Sequence, residues 1–210
     1  MRAVLATLRR LFRPPSLRYD GLAGLVIGLG NPGPRYASTR HNAGWMVVER
    51  LARRAGQDFR PGRGDFHAAR WARPAGDVLL VLPTTFMNRS GEAGARLLEL
   101  TGLAPADCLV LVDDLDLPLG RLRLRARGSD GGHRGLASLT AAWASDAFPR
   151  LRLGIGRPAD DTVEHVLAPF ADAELDTAER MIEAAADAVS ETLDRGLERA
   201  ASHFNALQIT

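Results

Sequence analysis

Leu25-Val26-Ile27-Gly28-Leu29-Gly30-Asn31-Pro32-Gly33 runs from an apolar, β-branched segment straight into a glycine-rich turn. The first three residues have the composition of a buried strand. The glycine spacing fits G-x-G-x-x-G, the dinucleotide fingerprint, which requires a helix that starts at the last glycines and offers its backbone N–H groups to a pyrophosphate. Pro32 deletes one of those donors and Pro34 obstructs the helix. Glu49, the acid near the expected distance, falls in a helical pattern and not at a strand end. A nicotinamide or flavin site is therefore excluded. What remains is a tight turn at the C-terminal end of a strand, presenting Asn31 where α/β folds keep their ligand sites.

Beyond this turn, helical and extended patterns alternate: WMVVERLARRAG (45–56), DVLLVLP (77–83), GEAGARLLELTG (91–102) and CLVLVDD (108–114). In 121–127, RLRLRAR, arginines occupy every second position, so Arg121, Arg123, Arg125 and Arg127 share one face of a half-buried strand. A helix is expected over 134–145, a strand over LRLGIG (151–156), and a long amphipathic run over 172–204, which holds no proline. This order specifies an α/β fold with a central, largely covered sheet. A chain of 210 residues is enough for one such core. Residues 1–20 carry five arginines and one acid and are broken by Pro14 and Pro15, so we read them as a basic, disordered extension, with an RNA-binding arm or a targeting segment as the other readings. The domain proper is then 21–210.

All 27 basic residues are arginine. With no lysine, Schiff-base catalysis, a Walker-type phosphate lysine and a Ser-Lys pair are excluded. Net charge is only +2, yet 1–157 carries 24 arginines against 13 acids, while 158–210 carries 3 against 12. That asymmetry implies a basic face for a polyanion, with the acidic run as a solvated helix face. Cys108 stands alone at the start of an apolar run, so no intramolecular disulfide forms, as fits a reducing compartment. No apolar stretch approaches the ~20 residues of a membrane-spanning helix.

Four segments carry candidate chemistry. His41, in Thr39-Arg40-His41-Asn42-Ala43-Gly44, precedes an apolar helix, where the helix dipole favours a neutral imidazole suited to proton abstraction. Phe86, Met87 and Asn88 follow a strand, and aromatic plus amide groups suit a base or a peptide. Asp113, Asp114 and Asp116 cluster at a strand tip, either to bind magnesium or with one carboxylate orienting a histidine. The loop 128–135 (GSDGGHRG) lies ahead of a helix and holds His133 and Arg134, either as an anion cradle or as a connector. Five histidines show no H-E-x-x-H spacing, which argues against a metal site, and no G-x-S-x-G elbow is present. An activated water, not a protein nucleophile, is the expected attacking group.

Taken in order, GLGNPGPRYASTRHNAGW (28–45), LPTTFMNRSG (82–91), VDDLDLPLG (112–120), GSDGGHRGL (128–136) and RLRLGIGRP (150–158) closely resemble the bacterial-type peptidyl-tRNA hydrolase family. The resemblance covers about Leu25 to Asn205. It implies a single domain with a twisted, mixed central sheet flanked by helices, and C-terminal helices covering the cleft. It implies hydrolysis of the ester between a peptide and the terminal ribose of tRNA, without cofactor or metal, by a cytoplasmic monomer. By position in the matching blocks, His41 is the base, Asp113 its orienting carboxylate, and Asn31 and Asn88 the amides holding substrate or water. Tyr36, Phe86 and Met87 form the wall around the terminal nucleotide and peptide, His133 and Arg134 contact substrate, and Arg125 and Arg152 clamp the 5′-phosphate of tRNA. Arg134 departs from the pattern, since the family usually has asparagine there. The alternative is a non-enzymatic RNA-binding member, of the type that assists group II intron splicing.

Overall fold

The computed structural model describes residues 17–158 and 160–210. A seven-stranded mixed sheet organises them. β1 (Leu22–Gly28), β4 (Asp77–Pro83), β5 (Cys108–Asp114) and β7 (Arg150–Gly154) run parallel at its centre. β2 (Arg60–Pro61) and β3 (Phe66–Trp71) extend one edge antiparallel, and β6 (Leu122–Arg125) closes the other, giving the order β2-β3-β4-β1-β5-β7-β6.

Both faces of the sheet are covered, which is why its central strands read as unbroken apolar runs. Val26, Leu80 and Leu111 pack with Val47, Val48 and Leu51 of α1 (Ala43–Arg54) and with Ile182, Ala185 and Val189 of α5 (Leu175–Arg195). Phe204 of α6 (Leu197–Phe204) joins the same cluster. Leu25, Ile27 and Val110 face Leu97 of α2 (Ser90–Thr101) and Leu136, Leu139 and Trp143 of α3 (Arg134–Trp143). α4 (Thr162–Leu167) is a single short element on the C-terminal side of the sheet. The run expected over 172–204 is thus two helices, parted at Gly196, whose φ of 89° is a conformation that favours glycine. β3 was not expected from the pattern, because the only apolar residues of FHAARW between its aromatic ends are two alanines, flanked by His67 and Arg70.

Two further expectations are corrected. Of the 1–20 extension, 1–16 lie outside the described residues, but Tyr19 is buried edge-on against Phe66 at 6.4 Å and its hydroxyl accepts from the Arg63 N–H at 2.9 Å. The folded domain therefore includes Leu17–Asp20. The acidic run is also not merely a solvated face. Arg50 pairs with Glu179 (2.6 Å) and Glu183, Arg54 with Glu183 and with Asp187 (2.7 Å), and Arg73 with Asp194 (2.5 Å). Each partly exposed pair contributes little on its own, so the ladder's main effect is to set how α5 lies along α1.

The edge strand β6 is sealed by the chain beyond α6. The Leu124 N–H donates to Asn205 Oδ1 (2.6 Å), and Asn205 Nδ2 donates back to the Leu124 carbonyl (3.2 Å). Arg121 donates to the carbonyls of Leu207 and Asn205, at 2.8 and 3.2 Å.

α1 meets the sheet through glycine. A Cβ on Gly44 would stand 2.3 Å from the Leu111 carbonyl oxygen and 2.9 Å from the backbone nitrogen of Leu29, and one on Gly28 would stand 2.4 Å from the Gly44 carbonyl oxygen. These contacts are with backbone, so no side-chain rotation relieves them. Gly44→Ala is expected to destabilise the fold by about 1–3 kcal/mol, read as a lower urea midpoint at unchanged m-value.

Candidate active site

The close approach of α1 to the ends of β1 and β5 determines where His41 lies. Residues Arg40–Asn42 form a 3-10 turn leading into α1. The buried Arg40 anchors that turn: its guanidinium donates to the carbonyl of Pro169 (2.7 Å) and to Glu174 (2.5 Å), and its N–H donates to the carbonyl of Ala168 (3.0 Å). The His41 ring then projects over the tip of β5. Its Nδ1 lies 2.9 and 3.0 Å from the two oxygens of Asp113, while Nε2 makes no hydrogen bond among the described residues.

Asp113 has a second imidazole. His133 Nε2 lies 3.0 Å from Asp113 Oδ1, and His133 Nδ1 accepts the Leu136 N–H at 3.3 Å, capping α3. A nitrogen that accepts an N–H carries no proton, so Nε2 carries it and donates to the carboxylate. Both ring nitrogens of His133 are thus engaged by the protein itself, and the two imidazole rings stand 5.2 Å apart. Asp113 is 3% exposed. Burial alone would raise its pKa, but the electrostatic attraction and hydrogen bonds of His133 and His41 outweigh burial and hold the carboxyl well below the usual carboxylate range.

The donor atoms of His41, Asp113 and His133 lie within 4.8 Å of one another, the spacing of a metal cluster. Ligation through His133 Nε2 would require a proton on Nδ1, which would then point at the Leu136 N–H. A donor facing a donor is unfavourable, so the trio is arranged for hydrogen bonding to Asp113. The neighbouring carboxylates are engaged as well: Asp114 Oδ2 accepts from Arg152 (3.1 Å), and Asp116 Oδ1 from Arg157 (2.5 Å). The hydrogen bonds observed at this strand tip are those of a carboxylate orienting histidines.

Asn31 lies beside this relay and is joined to it by Asn42, which sequence reasoning passed over. The Asn31 N–H donates to Asn42 Oδ1 (2.8 Å), and Asn42 Nδ2 donates to the Asn31 carbonyl (3.0 Å). Asn31 Oδ1 accepts the Met87 N–H at 2.9 Å, which ties the first block to the 83–91 loop and leaves the amide NH₂ of Asn31 available. Asn88 follows, exposed, in the 3-10 turn Met87–Arg89. Phe86, 52% exposed, meets Tyr36 edge-on at 6.3 Å, and Arg35 lies 4.6 Å above the Tyr36 ring. A largely exposed aromatic of this kind marks a contact surface more than core filling.

On the other side of His41 opens a cleft of about 260 Å³, lined by Asp113, His133, Arg134, Arg152, Arg157 and, from α4, Val163 and Val166. A cleft of this size holds only part of a large substrate. Of the C-terminal helices, α4 roofs the cleft, while α5 and α6 pack behind it against α1 and β6. Sequence reasoning missed α4, because its one apolar turn resembles a connector.

The arginine strand is half-buried as expected, with Leu122 and Leu124 inward and Arg123 and Arg125 outward. Its register sets Arg123 opposite Arg152 and Arg125 opposite Arg150, four arginines on one sheet face. Of the expected clamp, Arg125 is exposed, whereas Arg152 already serves Asp114 and the Ser129 carbonyl (2.7 Å).

Fold and site together define an α/β protein with a carboxylate-held histidine at its strand ends. A family model described as peptidyl-tRNA hydrolase matches residues 25–210. The peptidyl-tRNA hydrolase of Symbiobacterium thermophilum is 52% identical over 71% of this chain and 81% of its own length. That of Aquifex aeolicus is 47% identical over 71% and 79%. Among solved structures, peptidyl-tRNA hydrolase from Acinetobacter baumannii superposes with a TM-score of 0.83 at 34% identity, over 90% of this chain and 98% of that one. The chain belongs to the peptidyl-tRNA hydrolase family.

Because folding lowers the Asp113 pKa, its ionised form stabilises the protein at all pH above the usual carboxylate value of about 4, and the contribution fades as pH falls toward the depressed native value. Asp113→Asn should therefore flatten the acid side of the stability profile, measured as urea midpoint against pH below about 5.

Proposed function

We propose that this chain hydrolyses peptidyl-tRNA with His41 as general base. The supporting observation is the hydrogen bond that His41 Nδ1–H donates to the two oxygens of Asp113, which leaves Nε2 as the ring's free acceptor in the neutral form. Water held at Nε2 gives its proton to His41 and its oxygen to the ester carbonyl carbon. The tetrahedral intermediate expels the terminal ribose oxygen, which takes the proton from His41. The peptide acid, which gives its remaining proton to solvent, and tRNA with a free terminal hydroxyl leave. Asp113 stays ionised and stabilises the transient imidazolium, and Asn31 and Asn88 donate to the developing oxyanion, where one lost donor costs on the order of 3 kcal/mol.

We assign His133 to the relay, since its nitrogens are committed within the protein, and leave Arg134 facing the substrate in the cleft. Tyr36 and Phe86 wall the terminal nucleotide and peptide; Met87, expected beside them, is instead 4% exposed and packs into the core with Leu29 and Leu136. Arg125, with Arg152 diagonal to it across the β6–β7 register, takes the 5′-phosphate, a reading supported by the solvent-facing arginines Arg123 and Arg125 of β6. No step in this scheme needs a metal or a cofactor, and action as a monomer is part of the same reading. Among the described residues no helix is long and apolar enough to cross a membrane. A cytoplasmic site of action is part of the same reading. The RNA-binding alternative gives no reason to bury a carboxylate between two imidazoles.

His41→Ala should lower kcat for an N-acetyl-aminoacyl-tRNA by about 10²–10⁴-fold while tRNA affinity and melting stay near wild type, with EDTA present throughout. Unaltered turnover would remove His41 from the mechanism. Arg125→Ala should raise KM for the tRNA substrate and reduce the slope of log KM against log salt by about one charge, yet leave cleavage of a minimal peptidyl-nucleotide unchanged. Equal losses on both substrates would contradict a phosphate clamp.

A further inference from the structure

Among the described residues the largest fully buried side chain is a charged one. Arg150, on β7, is 1% exposed. Its guanidinium donates only to main-chain carbonyls: from Nη1 to Gly128 (2.5 Å) and Ser129 (3.3 Å), and from Nη2 to Asp146 (2.7 Å) and Phe148 (3.1 Å). The Phe148 ring lies 4.1 Å away. Burying a cation without a carboxylate is costly, and if packing were the only demand an apolar residue would serve the core better.

The carbonyls explain its presence. Gly128 and Ser129 belong to the connection from β6 into α3, and Asp146 and Phe148 to the connection from α3 into β7. One side chain therefore joins both feet of α3. From Ser129 the chain reaches His133 through Gly131 and Gly132, at φ of 62° and 78°, with little of its own to stiffen it. The Asp130 side chain closes that turn on the Gly132 N–H at 2.7 Å. Arg152 braces Ser129 a second time. Past the last brace stands His133, bonded to Asp113.

We infer that Arg150 is a positioning residue for hydrolysis: by pinning the carbonyls at both ends of α3 it holds His133 against Asp113, and through Asp113 the ring of His41. The inference rests on the reading of His41 as the base. Partners one step removed from a reacting group typically carry about 10–100-fold in activity.

Arg150→Lys keeps the charge but presents three donors from a single point, too few to span both connections. Arg150→Gln removes the charge. Each variant that melts cooperatively is compared with wild type on N-acetyl-aminoacyl-tRNA. Expected are a fall in kcat of about 10–100-fold with KM little changed, a displaced pH profile of kcat/KM, and loss of the Nε2-protonated His133 signal in histidine nitrogen NMR. In a His133→Ala background, Arg150→Lys should cost no further kcat, because residues acting through one another are non-additive. Wild-type kcat and pH profile in a folded variant, or full additivity with His133→Ala, would overturn the inference. Failure of both variants to fold would overturn it as well, making Arg150 a folding residue. His41→Ala measured alongside separates the two ideas. Normal turnover there removes the base itself, whereas loss there with normal turnover in Arg150→Lys removes only the role of Arg150.

Discussion

A carboxylate buried at the tip of a central strand has to find donors, and much of this molecule is arranged around supplying them. Asp113 lies where β5 leaves the sheet, and water cannot hydrate it there. Two imidazoles answer, from loops 72 and 20 residues away in sequence. One loop starts α1, which reaches the sheet only because Gly28 and Gly44 let backbone touch backbone. The other starts α3. The same electrostatic demand thus draws both helix N-termini to one point, and the imidazole with a free nitrogen is the one that faces the cleft.

Charge is organised throughout by similar local matching. Asp114 and Asp116 each hold an arginine, α5 holds Arg50 and Arg54 of α1, and Arg40 joins His41's turn to the segment after α4. On β6, Arg123 and Arg125 face solvent without a carboxylate partner among the described residues. A net charge near zero therefore conceals a directional molecule, acidic along α5 and basic along one sheet edge, and a polyanion approaching at low salt would be oriented before contact.

Much of this was legible in the residues. Continuous apolar runs such as LVIG and CLVLV identify strands covered on both faces, and the alternation of RLRLRAR gives its inward and outward sides without any structure. His41 and Asp113 became candidates because one precedes an apolar helix and the other ends a strand, and the family resemblance then implied their roles. The role of His133 could not, since the second nitrogen of an imidazole is assigned only by what it meets in space, here a helix N–H. Asn42 and Arg150 were hidden for a related reason: their partners are main-chain atoms, which leave no trace in residue type. The acidic run was misjudged because a helix pattern shows which residues lie outward, not what lies opposite them.

The seal on β6 has a consequence for how the protein is made. The Asn205 amide that occupies both main-chain groups of Leu124 comes 81 residues later in the chain. During synthesis, the arginine strand is therefore finished long before its cover exists. Through that interval the nascent sheet offers a free edge able to recruit other strands. Its outward arginines repel copies of themselves during that interval, so the charges that suit a polyanion also guard the growing chain against self-association.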